Sequence, residues 1–181
     1  MQLVKPIKAS YQWTVDELAT AQVYHNNISG RRARWIRYGG LIIMLGATLS
    51  LAFFRGQFSW TVFGLVGVAY LGVVISEVLR HPSMVHRAAE KAFVDRPDKD
   101  KMVRFEFDDE AILSGTEGFG ESTIHWDDIQ RVIETPTGFL FYLNKQVYIW
   151  VPEEAIKPKN DIGRLRELVQ EKIENYVDEA V

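Results

Sequence analysis

Two apolar runs dominate the middle of the chain, residues 38–54 and 58–79, with only Arg55, Gly56 and Gln57 between them. A helix needs roughly 17 to 25 apolar residues to cross about 30 Å of hydrocarbon. The first run reaches the lower end of that window and the second fits it, and neither holds a charged side chain before Glu77. The pattern predicts a two-helix transmembrane hairpin over residues 35–80, with spans at about 37–54 and 58–79.

On either side of this block the periodicity changes. Ile7, Ala9, Tyr11 and Trp13 recur at every second position, which predicts a strand, with Pro6 near its start. Thr14 followed by Glu17 is a capping-box pair, and Val15, Leu18, Ala19, Gln22 and Val23 keep helical spacing. Residues 1–34 therefore read as a strand and a short helix ending near Asn26, with a break before the first span. After the second run, Ser83 can cap a helix in which Val85, Ala88, Ala89, Ala92 and Phe93 form one face. A polar linker, DRPDKDK, follows, so residues 81–100 read as a juxtamembrane helix and a domain boundary.

From residue 101 onward the period is two. Val103, Phe105 and Phe107 alternate with charged residues; AILSGT, STIHW, IQRVIET, FLFYL and VYIWV follow, separated by turn signals such as Thr135-Pro136-Thr137-Gly138. A helix is expected from about Asp161, with Ile162, Leu165, Leu168, Val169, Ile173, Tyr176 and Val177 on one stripe. Phe105, Trp126, Phe141, Ile149 and Leu168 are the expected core. Six strands here and a seventh at residues 3–13, closed by one C-terminal helix, make the element count of a pleckstrin-homology-like barrel. The expected fold is thus an α+β membrane protein: a two-helix hairpin plus an antiparallel barrel or sheet over residues 101–181.

Charge adds a topology. Arg31, Arg32, Arg34 and Arg37 precede the first span, and Arg80 and Arg87 follow the second, whereas Arg55 alone lies in the connection. Basic flanks stay in the cytoplasm, so both termini are expected there. Arg31-Arg32 also has the form of a twin-arginine export signal, but the run after it exceeds an h-region of about 7–15 residues. The same arginines could contact anionic lipid. Overall the chain is mildly acidic, with a formal net charge of −3, 25% charged residues and no cysteine. That excludes disulfides and thiolate chemistry and gives no reason to expect a nucleic-acid partner. Beyond residue 100, nine basic residues face about seventeen carboxylates, which opposes binding to an anionic leaflet.

Candidate chemistry is thin. His125, Asp127 and Asp128 surround Trp126 and could suggest a metal or acid–base site; on a strand they also read as solvated residues opposite a buried Trp126. Gly115, Gly118 and Gly120 could suggest a phosphate loop, but they lead into a strand rather than a helix N-terminus, which favours a hairpin connection. His81, His86 and His25 have no partner at useful spacing. No HExxH, Walker-type or GxSxG pattern occurs, so no cofactor and no enzymatic activity are expected. Gly46 with Ser50, and Gly72 with Ser76, are small residues four apart, suited to helix packing within the hairpin or between copies.

The run Ile124–Thr135, IHWDDIQRVIET, followed by the aromatic segment Phe139–Pro152 and an amphipathic terminal helix, resembles the YcxB-like family of bacterial membrane proteins. That resemblance implies a bacterial inner-membrane protein with a pleckstrin-homology-like C-terminal domain, and carries no common activity with it. The chain departs from the expected pattern at Glu153-Glu154, where a basic or aromatic residue would be looked for. The expected function is display of an acidic interaction domain to a cytoplasmic protein, with Asp108, Asp109, Glu110, Glu153 and Glu154 as candidate contacts. A membrane-state sensor and a membrane-associated enzyme are the alternatives; the expected partners are lipid, a protein and a second copy of the chain.

Overall fold

The structure, a computed structural model, describes residues 5–55, 60–79 and 82–179. In chain order it contains β1 (Ile7–Gln12), α1 (Val15–Arg55), α2 (Trp60–Leu79), α3 (Pro82–Val94), β2 (Met102–Phe107), β3 (Ala111–Thr116), β4 (Gly120–His125), β5 (Arg131–Thr135), β6 (Gly138–Tyr142), β7 (Tyr148–Pro152), α4 (Asp161–Lys172) and β8 (Tyr176–Asp178). Two single 3-10 turns, Trp126–Asp128 and Glu153–Ala155, follow β4 and β7. Contacts divide the chain into two units, residues 1–21 with 89–181, and residues 22–88.

The first unit is built on two four-stranded sheets, ordered β1-β2-β3-β4 and β7-β6-β5-β8. Alternation dictates the first sheet. Ile7 and Ala9 lie opposite Phe107 and Phe105, and all four are buried, whereas Lys8 and Glu106 pair on the outer face at 2.7 Å. The N-terminal strand therefore joins the sheet that begins at residue 102, ninety residues along the chain. β5 and β6 are buried on both faces, and Val132, Phe139, Phe141 and Val151 are almost wholly buried. They meet Phe105, Phe107, Trp126 and the α4 residues Leu165 and Val169 in one core. A smaller cluster joins Leu18 and Ala19 of α1 to Ala89 and Phe93 of α3.

Several expectations change here. The unit is not a closed antiparallel barrel. Its strands lie in two sheets, and the last of them, β8, runs parallel to β5 in the register Val132↔Tyr176 and Ile133↔Val177. The C-terminal helix is accordingly shorter than its apolar stripe suggested. It ends at Lys172 because Ile173 turns extended, with φ −119° and ψ 113°, and Val132 N–H then donates to the Asn175 carbonyl at 3.2 Å. The β-branched and aromatic residues after Ile173 are better served by the free edge of β5 than by another helical turn.

In the second unit, α1 continues through the expected break at residues 26–30. The first apolar run is the distal part of one helix of 41 residues, not a separate span. Among the described residues, no helix is long and apolar enough to cross a membrane. The apolar stretches whose side chains are described, residues 35–47 and 64–76, cover about 20 Å each at ~1.5 Å per residue, against ~30 Å of hydrocarbon. The transmembrane hairpin is thereby corrected to two helices of an α+β fold. The multi-pass inner-membrane localisation with both termini cytoplasmic falls with it. Arg37 Nη1 donates to Ser76 Oγ at 2.9 Å, and that hydroxyl donates to the Val73 carbonyl at 2.8 Å.

Candidate functional site

Three elements of the first unit meet around the indole of Trp150 on β7. Its Nε1 donates to Glu17 Oε2 at 2.6 Å, and its main-chain carbonyl accepts from the Tyr11 hydroxyl at 2.7 Å. Tyr11 lies on β1 and Glu17 in the first turn of α1, so one residue of β7 holds both ends of the N-terminal connection. Thr14 Oγ1 accepts the Glu17 N–H at 3.3 Å, which is the first half of the expected capping box. The reciprocal half is absent, because the Glu17 carboxylate is engaged by Trp150 instead.

Gly138 makes room for this arrangement. A Cβ at Gly138 would sit 2.8 Å from Trp150 Cη2 and 2.9 Å from Pro152 Cα, so the start of β6 passes under the indole only without a side chain. Above the indole opens a cleft of about 230 Å³, walled by Pro136, Thr137, Pro152 and Thr20 and rimmed by Glu17, Glu153 and Glu154. Among the described residues, no lysine or arginine forms an ion pair with any of these three carboxylates.

Burial raises the pKa of Glu17, and the nearby Glu154 and Asp16 charges push it the same way, while the Trp150 hydrogen bond works against them. A carboxylate so placed is stabilised by a cation. Tyr11 is raised by burial and by Glu17, so its phenol stays protonated and acts as a hydrogen-bond donor. Proline and indole walls under a negative rim suit a side chain with an aliphatic stem and a positive head.

A second cluster is structural. Glu134 is buried in β5 and accepts from Arg166 Nε of α4 at 2.9 and 3.0 Å. Arg166 Nη2 and the Tyr176 hydroxyl of β8 complete its coordination. The Arg166 hydrogen bonds hold the Glu134 pKa below the usual carboxylate range against the opposing effect of burial. Burial and the Glu134 contact push Tyr176 up to about 12. All three side chains are paired here, and the cluster fixes α4 and β8 onto the second sheet.

The residues singled out from sequence are dispersed. Phe105, Trp126 and Phe141 are buried in the main core, and Ile149 and Leu168 are half-buried against it. Trp126 Nε1 donates to the Asp108 carbonyl at 2.9 Å, while His125, Asp127 and Asp128 are exposed. Among the described residues, no three His, Asp or Glu side chains gather closely enough to hold a metal ion. Asp108 Oδ1 accepts the N–H groups of Glu110 and Ala111 at 2.9 and 2.8 Å, closing the β2–β3 turn, with Asp109 and Glu110 exposed. Gly118 and Gly120 adopt φ of +82° and +88° in the hairpin between β3 and β4.

Arg87 is exposed on α3. The side chains of Arg31, Arg32 and Arg34, and the whole of Arg80 and His81, lie outside the described residues. Gly46, Ser50 and Gly72 are exposed, and nothing approaches within 4 Å of a Cβ built at either glycine. His25 on α1 and His86 on α3 are half-buried.

Sequence reading missed both polar clusters. Glu134 carried a usable signal, an acid directly after the apolar pair Val132-Ile133 in a strand, which calls for a cationic partner. Glu17 carried a misleading one, because the capping-box spacing gave its carboxylate a different task. No curated protein and no solved structure matches the chain. Residues 107–169, from the last residue of β2 to Val169 of α4, match the YcxB-like protein family, and this YcxB-like segment holds Trp150, Glu153, Glu154, Glu134 and Arg166.

Proposed function

We propose that the first unit is a protein-interaction module, with no catalytic activity of its own, whose acidic cleft over Trp150 receives a lysine- or arginine-bearing segment of a partner protein. The observation that carries this reading is the Trp150–Glu17 pair at the floor of the cleft. It fixes a half-buried carboxylate beside Glu153 and Glu154, and among the described residues no lysine or arginine pairs with it. An incoming ammonium or guanidinium supplies that charge, and its methylene stem covers Pro136, Pro152 and the indole. The departure from the family pattern at Glu153-Glu154 then becomes a partner-selecting feature of this chain. Exposed charge pairs contribute up to about 1 kcal/mol each, so binding should be modest, additive over the rim and sensitive to salt.

Titration of a lysine- and arginine-rich peptide into the full chain, followed by tryptophan fluorescence, tests the reading. Binding that weakens with added salt and is lost in a Glu153→Lys, Glu154→Lys double variant supports it. A peptide that binds the double variant as well as the parent chain, or fails to bind the parent at low salt, rejects it.

A further inference from the structure

The two sheets of the first unit have four edges, and β4 stands apart from the others. β1 is covered on its outer side, where Ala9 bridges to Ile156 and the Lys157 N–H donates to the Lys8 carbonyl at 3.2 Å. On β7, the Trp150 carbonyl accepts from Tyr11. β8 is a three-residue strand. β4 has six residues, runs in unbroken register against β3 from Ala111↔His125 to Thr116↔Gly120, and is exposed at every position but Ile124. Natural edge strands are usually protected by lysine, proline, a bulge or extreme shortness. The β4 sequence, Gly-Glu-Ser-Thr-Ile-His, uses none of these, and the acid Glu121 is its single carboxylate or lysine/arginine charge.

We propose that β4 is a dimerisation edge that pairs antiparallel with β4 of a second copy of this chain, centred on Thr123. The sequence is self-complementary in that register. Thr123 meets Thr123, a favourable cross-strand pair. Glu121 of each copy faces His125 of the other, and an imidazole N–H can donate to a carboxylate. Ser122 lies opposite Ile124. Odd residues stay opposite odd residues, so the pleat is preserved. Leu113, which lies opposite Thr123 within one copy and is substantially exposed, extends the row on the same face: Leu113, Thr123, then Thr123 and Leu113 of the second copy. The product is one continuous eight-stranded sheet with the Trp150 cleft on the other sheet of each unit.

Cysteine cross-linking of the full chain tests this directly, because the parent has no cysteine. Facing residues in an antiparallel pair have Cα atoms about 4.5–5.5 Å apart, inside the range a disulfide spans. Thr123→Cys should therefore cross-link two copies under mild oxidation. Leu113→Cys, one strand further in on each side, would be separated by about 14 Å and should not. In sedimentation velocity the parent should dimerise with rising concentration, and Thr123→Lys should weaken the dimer about tenfold or more by placing like charges face to face. Glu121→Lys should weaken it, and Glu121→Lys with His125→Glu should restore it, which a folding defect could not do. A parent that stays monomeric overturns the proposal, even if it accepts a strand from another protein. So does a dimer indifferent to Thr123→Lys, or one cross-linked by Leu113→Cys and not by Thr123→Cys.

Discussion

Arg166 on α4 forks onto the carboxylate of Glu134 on β5, a side chain that is only 7% exposed, and so joins the terminal helix to the interior of the second sheet. The guanidinium itself remains 41% exposed, so the pair sits at the boundary between core and solvent. Its charge is uncompensated in only one direction. Removing the arginine strands a buried carboxylate, whereas removing the carboxylate returns the arginine to water.

Arg166→Leu should therefore destabilise the protein by about 2 kcal/mol in urea denaturation, less than the ~3–5 kcal/mol of a fully buried broken pair because solvent screens the outer side. Adding Glu134→Leu should recover most of that loss. A double variant no more stable than Arg166→Leu alone would contradict this account.

The same pair fixes a sign for the acid limb. Glu134 has a depressed pKa in the folded state because Arg166 binds its charged form, with Tyr176 adding to the effect against burial. The contribution is fully present above the ordinary value near 4.5 and is lost as pH falls through the lower folded value. In Arg166→Leu that loss on acidification should shrink, and stability measured from pH 5 down to pH 3 should fall less steeply than in the parent.

Glu17 works the other way. Its folded pKa is raised by burial first, then by Glu154 and Asp16, so stability should decline as pH rises from 4.5 through that raised value. Glu17→Gln keeps an oxygen for the Trp150 N–H and removes the charge. It should leave stability nearly unchanged at pH 4 and increase it at pH 7, as read by thermal melting at both values. It should also weaken binding of a cationic peptide, since the cleft loses one of its three carboxylates. A variant less stable than the parent at pH 7 would mean that the charge itself, not the oxygen, anchors Trp150.

Gly138 is the tightest backbone position near the cleft. A methyl group there meets Trp150 and Pro152 at under 3 Å, and the nearest atoms belong to the β7 main chain, which cannot step aside without breaking its ladder with β6. Gly138→Ala should cost about 3 kcal/mol, at the upper end of overpacking in a filled core, with loss of the Trp150 environment seen in near-ultraviolet circular dichroism. An unperturbed signal would show that β7 yields easily.

Legibility of this fold followed how local its causes are. The strands from β2 to β7 are visible because each alternates or runs apolar between turn residues, and Trp126 announces its burial by contrast with its charged neighbours. β8 was hidden inside a helical stripe: Ile173, Tyr176 and Val177 fit a 3.6-residue period, and only the vacant edge of β5, a feature distant in sequence, makes them extended. The break at residues 26–30 was inferred from Asn and Gly propensities of under about 1 kcal/mol each, and the neighbouring turns outweighed them in the continuous α1. The two apolar runs gave the strongest signal and the largest correction, since run length measures hydrophobicity without saying where one helix ends. The Trp150–Glu17 pair could not be read at all, because it joins residues separated by 133 positions.

The N-terminal strand offers the sharpest test of how the first unit holds together. β1 pairs with β2 along its whole length, from Ile7↔Phe107 to Gln12↔Met102. It buries Ile7 and Ala9 in the main core, and it delivers Tyr11 to the Trp150 carbonyl. A strand with only backbone pairing could be replaced by water at an exposed edge; one whose inner face is core could not. Ile7→Ala should cost about 2–4 kcal/mol, as for other buried large-to-small changes, and Tyr11→Phe about 1 kcal/mol for the lost hydrogen bond. Removal of residues 1–13 should unfold the first unit cooperatively, exposing β2 and the β7 edge together. If that deletion left the urea midpoint within error of the parent, the β1–β2 pairing would contribute nothing to stability and the N-terminal strand would be an accessory to a self-sufficient core.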